Sequence, residues 1–226
     1  MEESALKRAY EIWERASTLV AHAKNDFDLS DVVLTLKRSV NQRLKTIESS
    51  YHLKGKVFDG KPKHYLDLLA CLGIIRPLLF HKLLKIRNAI EHEDTKPPSR
   101  KQCFELVDIV WYFLKSTDSL VAVQRSGWEV DTMNDKYGYN LEINWGNGSI
   151  EISGWFPASL ISETPREGFI KCVAKKRETK SDFANDEEKR KYHKNKSTTD
   201  TWLIGELCPD SVELLTLYRK LFGLYS

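Results

Sequence analysis

The fold class is decided by residues 137–156, which read YGYNLEINWGNGSIEISGWF. Apolar and polar side chains alternate on both sides of Gly146-Asn147-Gly148, with Leu141 and Ile143 before this turn and Ile150 after it. A period of two is typical of strands with one buried face, and a glycine-rich turn joins such strands into a hairpin. This segment therefore predicts an antiparallel β-hairpin.

The chain before this hairpin follows a helical period instead. Apolar residues recur every three or four positions up to Thr117, where the pattern changes. The predicted helices cover residues 4–24, a second stretch that begins at Asp28 or Ser30 and stops at Gly55, residues 65–72, Pro77 to His92, and a last helix capped by Ser99 and Gln102. The second helix should carry an outer basic face of Lys37, Arg38, Arg43 and Lys45, and the last a buried stripe of Phe104, Val107, Val110, Trp111 and Leu114.

The fold class expected is therefore α+β. An all-α helical bundle should occupy residues 1–118, and a β-rich half with a closing helix at residues 211–221 should occupy residues 119–226. Shorter strands are predicted at residues 120–124, 169–174 and 202–207. Residues 175–196 hold nine Lys or Arg and five Asp or Glu, which predicts a mobile loop. Its net charge of +4, nine minus five, suits either an RNA guide or a solvated insertion.

Composition limits the class of protein. The chain has 226 residues, 41% hydrophobic and 30% charged, and its most apolar run is too polar for a membrane span. The first fifteen residues lack the apolar core of a signal peptide, so we expect a cytoplasmic protein. Cys71, Cys103, Cys172 and Cys208 make no C-x-x-C pair, which favours reduced thiols over a zinc site or disulfides. The net charge of +3 divides into +4 (20 minus 16) for residues 1–118 and −1 (15 minus 16) for residues 119–226.

Chemistry is concentrated in residues 83–92, which read LLKIRNAIEH. At 100° per residue, one side of this predicted helix is apolar and the opposite side carries a polar stripe. The stripe consists of His81, Lys85, Asn88 and His92, and Arg87 and Glu91 lie on its flank. A purely structural interpretation is also open, in which Arg87 pairs with Glu91 and His92 interacts with the negative end of the helix. Arg15 with His22, and Arg76 with His81, match the same Arg-to-His spacing without an adjacent polar residue, as chance allows.

The segment Ile86-Arg87-Asn88-Ala89-Ile90-Glu91-His92, followed by two prolines, resembles the R-N-x-x-x-H signature of the HEPN superfamily. The resemblance covers roughly residues 28–118 and leaves out the β-rich half. It implies a metal-independent ribonuclease without a cofactor, which usually works as a dimer and often as a toxin or antiviral-defence effector. By position, Arg87 and His92 would be catalytic and Asn88 would orient them. The chain departs from the family's small toxins in size, since those are little more than a bundle.

These residue types suit RNA cleavage without a metal. An imidazole such as that of His92 can accept the proton of the 2′-hydroxyl or protonate the leaving 5′-oxygen near neutral pH. A guanidinium such as that of Arg87 can hold the charge on the phosphorane-like transition state. Lys85 and His81 could extend the groove along the RNA backbone. Glu91, Glu93 and Asp94 could also be taken for a metal cluster, although carboxylates at a helix end are more often surface charge.

Two functions remain open. The first is a metal-independent endoribonuclease of HEPN type that acts on RNA as a homodimer, with an antitoxin or a trigger protein as a further partner. The second is a non-catalytic module that binds RNA or a nucleotide, or that dimerises as an adaptor. In the β-rich half, Trp155 falls on the polar side of its strand and is the better candidate for a base or partner contact, whereas Tyr137, Tyr139 and Trp145 are expected in a core.

Overall fold

The structure is a computed structural model that describes residues 2–56, 61–75, 81, 85, 88, 96–131, 137–161, 168–178, 199–208 and 213–223, with side chains from Leu6 onward. Contacts divide the chain into two compact units. The first comprises Met1–Lys54, Lys61–Gln124 and Tyr218–Ser226, and the second comprises Gly55–Gly60 and Arg125–Leu217. The first is helical and the second contains a β-sheet, which confirms the α+β class.

Two long helices form one side of the helical unit. Helix α1 spans Glu2–His22 and packs along α2, which spans Asp26–Tyr51. The N-cap of α2 is Asn25, whose side chain accepts from the backbone of Asp28, while the Asp28 carboxylate accepts in return. Asp28 therefore closes the capping box and is not itself the cap, because the helix begins earlier than its apolar pattern indicated. A 3-10 turn at Leu53–Gly55 follows.

Shorter helices complete this unit. Helix α3 spans Tyr65–Cys71, α4 spans Arg100–Ser116 and α5 spans Asp118–Ala122. The predicted capping box of α4 is confirmed, since Ser99 accepts from the Gln102 backbone and the Gln102 side chain accepts from Ser99. The predicted strand at residues 120–124 is wrong, because Leu120 and Val121 are helical and both are buried in the core.

The core of the helical unit is built from small and branched apolar side chains. Its most buried members include Ala9, Ala16 and Val20 from α1, Val33, Leu36, Val40 and Ile47 from α2, and Leu106, Val110 and Leu114 from α4. Phe104 was expected among them but is 44% exposed. The buried face of α4 is centred on Cys103, Val107 and Val110, which turns Phe104 toward solvent. Arg43 was expected outside but is wholly buried.

The second unit is organised by a five-stranded sheet. Its strands are β1 Gly127–Asp131, β2 Gly138–Ile143, β3 Ile150–Phe156, β4 Cys172–Glu178 and β5 Thr201–Leu207. They lie in the order β1-β2-β3-β5-β4 and every neighbouring pair is antiparallel. The β2–β3 pair is the predicted hairpin. Strand β1 was not predicted, because Trp128 is its only buried residue and no alternation marks it.

The closing helix predicted near the C-terminus is α6, Glu213–Gly223. Its residues Tyr218, Leu221 and Phe222 are buried in the helical unit, where the Phe222 ring meets that of Tyr51 at 5.6 Å edge to face. Among the described residues, no helix combines the length and the apolar character that a membrane crossing requires.

Candidate functional site

Three members of the predicted polar stripe are described. His81, Lys85 and Asn88 are all helical and all exposed, at intervals of four and three residues. These intervals place them within about 60° of one another on one face of a helix. Arg87 and His92, the two candidate catalytic residues, lie outside the described residues.

One contact ties the stripe to a neighbouring helix. Nε2 of His81 lies 3.5 Å from Oδ1 of Asp67 on α3, and both side chains are largely open to solvent. A contact between two side chains this exposed contributes less than about 1 kcal/mol, so it does little to stabilise the fold. His81 is therefore a polar group at the border of the stripe, next to α3.

The aromatic residues of the predicted hairpin are used for packing. Trp155 is 2% exposed and lies in an aromatic cluster with Tyr137, so its predicted exposed position is wrong. The register places it opposite Trp202 on β5, and the two rings meet at 5.7 Å edge to face. Tyr137 and Trp145 are buried and Tyr139 is half-buried, as expected of core residues.

The cluster around Trp155 also contains a buried acid. The Tyr137 hydroxyl donates a hydrogen bond of 3.0 Å to Oδ2 of Asp200, which is 3% exposed. Burial and the charge of Asp200 raise the pKa of Tyr139, which packs against the same rings. These aromatic side chains are thus used for packing and are not available to stack on bases.

The charged segment 175–196 is described only at its start. Residues 175–178 belong to β4, and the remainder lies outside the described residues. Lys175 pairs with Glu206 at 3.0 Å and with Glu151 at 3.4 Å, and these two carboxylates raise its pKa. Cations held by carboxylates in this way offer little to a phosphate. Glu91, Glu93 and Asp94 also lie outside the described residues. Within the described part of the chain, no group of three or more His, Cys, Asp or Glu side chains could hold a metal ion.

The helical unit contains a second candidate, an open cleft of about 750 Å³ between α1, α2 and α3. Two arginines, two lysines and one histidine line it, namely Arg8, Arg38, Lys45, Lys54 and His52. Asn41, Gln42, Glu48 and Tyr65 also contribute to its walls. The sequence indicates only the basic outer face of α2. The other lining residues come from α1, from the later part of α2 and the turn that follows it, and from α3, so no local pattern could reveal the cleft.

Comparison with family models, with curated proteins and with solved structures found no match to this chain. Two arrangements of the chain's own residues bear on its function. In the helical unit these are the polar stripe that leads toward Arg87 and His92, and the basic cleft. Both arrangements suit a phosphate-bearing ligand, because they present cations and hydrogen-bond donors at the surface.

Proposed function

We propose that this protein is a metal-independent endoribonuclease of the HEPN type, in which Arg87 and His92 act on the scissile phosphate. The observation that carries the proposal is the Arg87-Asn88-x3-His92 pattern on a segment whose described residues, His81, Lys85 and Asn88, are helical and exposed. An exposed face is what a polymeric substrate requires, and a buried face would have excluded RNA from it.

The proposed reaction is an intramolecular transesterification, in which the phosphoryl group of the RNA passes from the 5′-oxygen to the 2′-oxygen. The 2′-oxygen attacks the adjacent phosphorus and loses its proton to one imidazole, while the bond from phosphorus to the 5′-oxygen breaks. A second imidazole protonates that 5′-oxygen, which leaves a 2′,3′-cyclic phosphate and a free 5′-hydroxyl. The Arg87 guanidinium holds the non-bridging oxygens with two parallel hydrogen bonds, and Asn88 orients the imidazole or the phosphate.

Two copies of the chain share the work in this proposal. Arg87 and His92 are five residues apart, which is about 7.5 Å along a helix and about 140° around it. One copy cannot easily place an acid and a base on opposite sides of one phosphodiester. A two-fold dimer offers two histidines and two arginines across one groove. The protein would act in the cytoplasm as a toxin or antiviral-defence effector, with an antitoxin or trigger protein as its regulator.

The proposal is tested by incubating purified protein with total RNA in EDTA. We expect cleavage by the wild type, none by His92→Ala, and a strong loss in Arg87→Ala. Arg87→Lys should also be impaired, because lysine keeps the charge but loses the planar pair of donors. No cleavage by any form, or full activity of Arg87→Lys, would contradict the assignment.

A matched control is present in the same chain. Arg15 and His22 on α1 have a similar spacing and are both exposed. The variants Arg15→Ala and His22→Ala should therefore cleave RNA as the wild type does. Because they are purified in the same way, they also control for traces of contaminating nuclease. All four alanine variants should unfold within about 1 kcal/mol of the wild type, because Arg15 and His22 are exposed and the proposal requires the same of Arg87 and His92.

A further inference from the structure

The cleft between α1, α2 and α3 concentrates positive charge. Arg8, Arg38, Lys45 and Lys54 line it together with one carboxylate, that of Glu48, so these five side chains carry a formal charge of +3 (four minus one). A cleft with this excess of positive charge attracts polyanions.

The single acid of the cleft is already engaged. The Glu48 carboxylate accepts from the backbone N–H of Lys54, with its two oxygens at 3.2 and 3.3 Å. It also lies beside the Tyr65 hydroxyl, and burial together with this negative charge raises the pKa of Tyr65 above the usual tyrosine range. Tyr65 is therefore protonated at any physiological pH. Glu48 is thus held by the backbone of Lys54 and contributes the one negative charge of the lining.

Those cations differ in how they are held. Nη1 of Arg8 pairs with Glu11 at 3.1 Å, and the Lys54 ammonium lies 4.7 Å from the centre of the Tyr65 ring. Arg38 and Lys45 are exposed and form no ion pair with any described residue. Two of the four cations are thus ready for an incoming anion without breaking an existing pair.

The backbone at one end of the cleft is also unusual. His52 ends α2 in the left-handed conformation, with φ of 49°, and its N–H donates to the Glu48 carbonyl at 2.8 Å. It is the only residue other than glycine with a positive φ among those described. Glycine is the usual residue in this position, and a side chain there costs about 1 kcal/mol. This cap places the His52 side chain at the end of the cleft.

The row itself is long. Arg38 and Lys45 are seven residues apart, so they share one face of α2 at an interval of about 10.5 Å. The cap residue His52 follows seven positions later, which gives a row of about 21 Å. Asn41 and Ser49 lie between them on the same wall. A single phosphate would occupy only part of such a row. A polymer with a phosphate at each nucleotide would contact all of it.

We propose that this cleft binds the phosphodiester backbone of a single-stranded nucleic acid. The contacts are electrostatic and made to phosphates, so the site selects charge and flexibility and has little preference for sequence. Arg38 and Lys45 bind phosphates, Asn41 and Ser49 donate hydrogen bonds to their oxygens, and His52 and Lys54 close one end. The bases remain toward solvent, since the Tyr65 ring is covered by Lys54.

Helix α3 relates this cleft to the polar stripe. Tyr65 lines the cleft and Asp67, two residues further on, contacts His81 of the stripe. Two positions correspond to about 200°, which places the two features on opposite sides of a helix about 10 Å wide. Binding in the cleft does not depend on cleavage at Arg87 and His92, so the two proposals can fail separately.

The test measures binding of labelled single-stranded oligonucleotides of about 12 nucleotides by fluorescence anisotropy. The full chain is used in the His92→Ala background with an RNA and a DNA of the same sequence, since DNA lacks the 2′-hydroxyl and cannot be cleaved by the proposed chemistry. The variant pair Arg38→Glu with Lys45→Glu is compared with a control pair, Arg15→Glu with Lys101→Glu, which makes the same change of charge at exposed positions outside the cleft.

We expect the cleft pair to weaken binding of both oligonucleotides at least about tenfold and the control pair to weaken it less than about threefold. The slope of log K against log salt should fall by about 1.4 for the cleft pair, because two phosphate contacts are lost at about 0.7 each. Arg38→Gln with Lys45→Gln, which only neutralises the charges, should show the same slope change if the glutamate pair does not fold. Equal effects of the two pairs, no binding by the wild type at about 50 mM salt, or competition by AMP as effective per phosphate as by the oligonucleotide would overturn the proposal.

Discussion

Nη2 of Arg43 donates a hydrogen bond of 2.9 Å to Oδ1 of Asp118, and the arginine is fully buried. The other oxygen of Asp118 accepts from the Tyr10 hydroxyl at 2.7 Å, and the Tyr10 ring lies 5.6 Å from the guanidinium carbon. Burial and the neighbouring carboxylate raise the pKa of Tyr10. Asp118 thus joins α1, α2 and the start of α5 through one carboxylate.

Replacement of Asp118 by alanine should therefore destabilise the protein by about 3–5 kcal/mol, because it leaves a buried guanidinium without its counter-charge. Asp108→Ala, at an exposed position of α4, is the matched control and should change stability by less than about 0.5 kcal/mol. Urea unfolding followed by circular dichroism measures both. Arg43→Met added to Asp118→Ala should recover part of the loss, and an unchanged midpoint for Asp118→Ala alone would contradict a role for this pair in stability.

The dimer required by the proposed nuclease predicts an effect of mixed subunits. Excess Arg87→Ala, His92→Ala double variant added to wild type should lower RNA cleavage beyond simple dilution, because mixed dimers lack one acid and one arginine. Light scattering should report a species near twice 26.2 kDa under the same conditions. A monomer that remains fully active at its lowest working concentration would rule out the shared site.

The buried side chain of Tyr218 should make the stability of the folded protein depend on pH in the alkaline range. It is 1% exposed on α6, and burial raises its pKa from the ordinary 10.0 to about 12. Below about pH 10 both states are protonated and its contribution is complete. Above that pH the unfolded chain loses the proton first, so stability is lost as the pH rises toward and through the folded value, by up to about 1.4 kcal/mol per pH unit.

Tyr218→Phe should therefore lose less stability than the wild type between about pH 9 and about pH 11, as measured by thermal unfolding. Tyr112→Phe is the control, because Tyr112 is 66% exposed. The raised pKa values of Tyr10 and Tyr65 affect all three proteins alike, so the difference between them isolates Tyr218. Parallel curves for wild type and Tyr218→Phe would contradict the assignment.

A side chain at position 205 is expected to clash with its neighbours inside the sheet. A Cβ atom at this position would lie 3.0 Å from the Val173 carbonyl oxygen and nearer still to Sγ of Cys172. Gly205→Ala should destabilise the protein by about 1–3 kcal/mol, because neighbouring strands would have to separate. Gly127→Ala is the control, since nothing lies within 4 Å of the added atom.

Addition of Cys172→Ala to Gly205→Ala separates the two clashes. Gly205→Ala should cost less stability in the Cys172→Ala background than in the wild type, because the sulfur is gone. Part of the cost should remain, because the Val173 carbonyl is still in place. Double-mutant analysis of urea unfolding measures this coupling. Full additivity of the two substitutions would show that the sulfur is not the obstacle.

Features that depend on neighbours in sequence were predictable. The Ser99–Gln102 capping box, α3 at Tyr65–Cys71 and the β2–β3 hairpin all follow from groups within a few residues of one another. Part of the polar stripe follows from the same kind of local pattern. Its spacing on one helix face comes from the sequence, and the exposure of His81, Lys85 and Asn88 agrees with it. The roles of Arg87 and His92 remain a proposal.

Features that depend on distant partners were not predictable. The segment after Thr117 is apolar enough for a strand, yet it is helical, and the Leu120 carbonyl accepts from the buried Tyr51 hydroxyl at 2.9 Å. Trp155 shares one side of β3 with the polar residues Glu151 and Ser153, but β5 places Trp202 against it. The basic cleft likewise needs α1, α2 and α3 together, so its charge cannot be read from one helix.

The sequence by itself determined the α+β class, the order of most elements and the position of the hairpin, because hydrophobic period and capping act over a few residues. Tertiary structure decided which polar side chains are buried. Arg43 lies at helical spacing from Leu36, Val40 and Ile47, so its place on the inner face was present in the pattern, but a buried charge is tolerated only beside a partner. That partner, Asp118, is 75 residues away, and only the folded chain brings its carboxylate to the guanidinium.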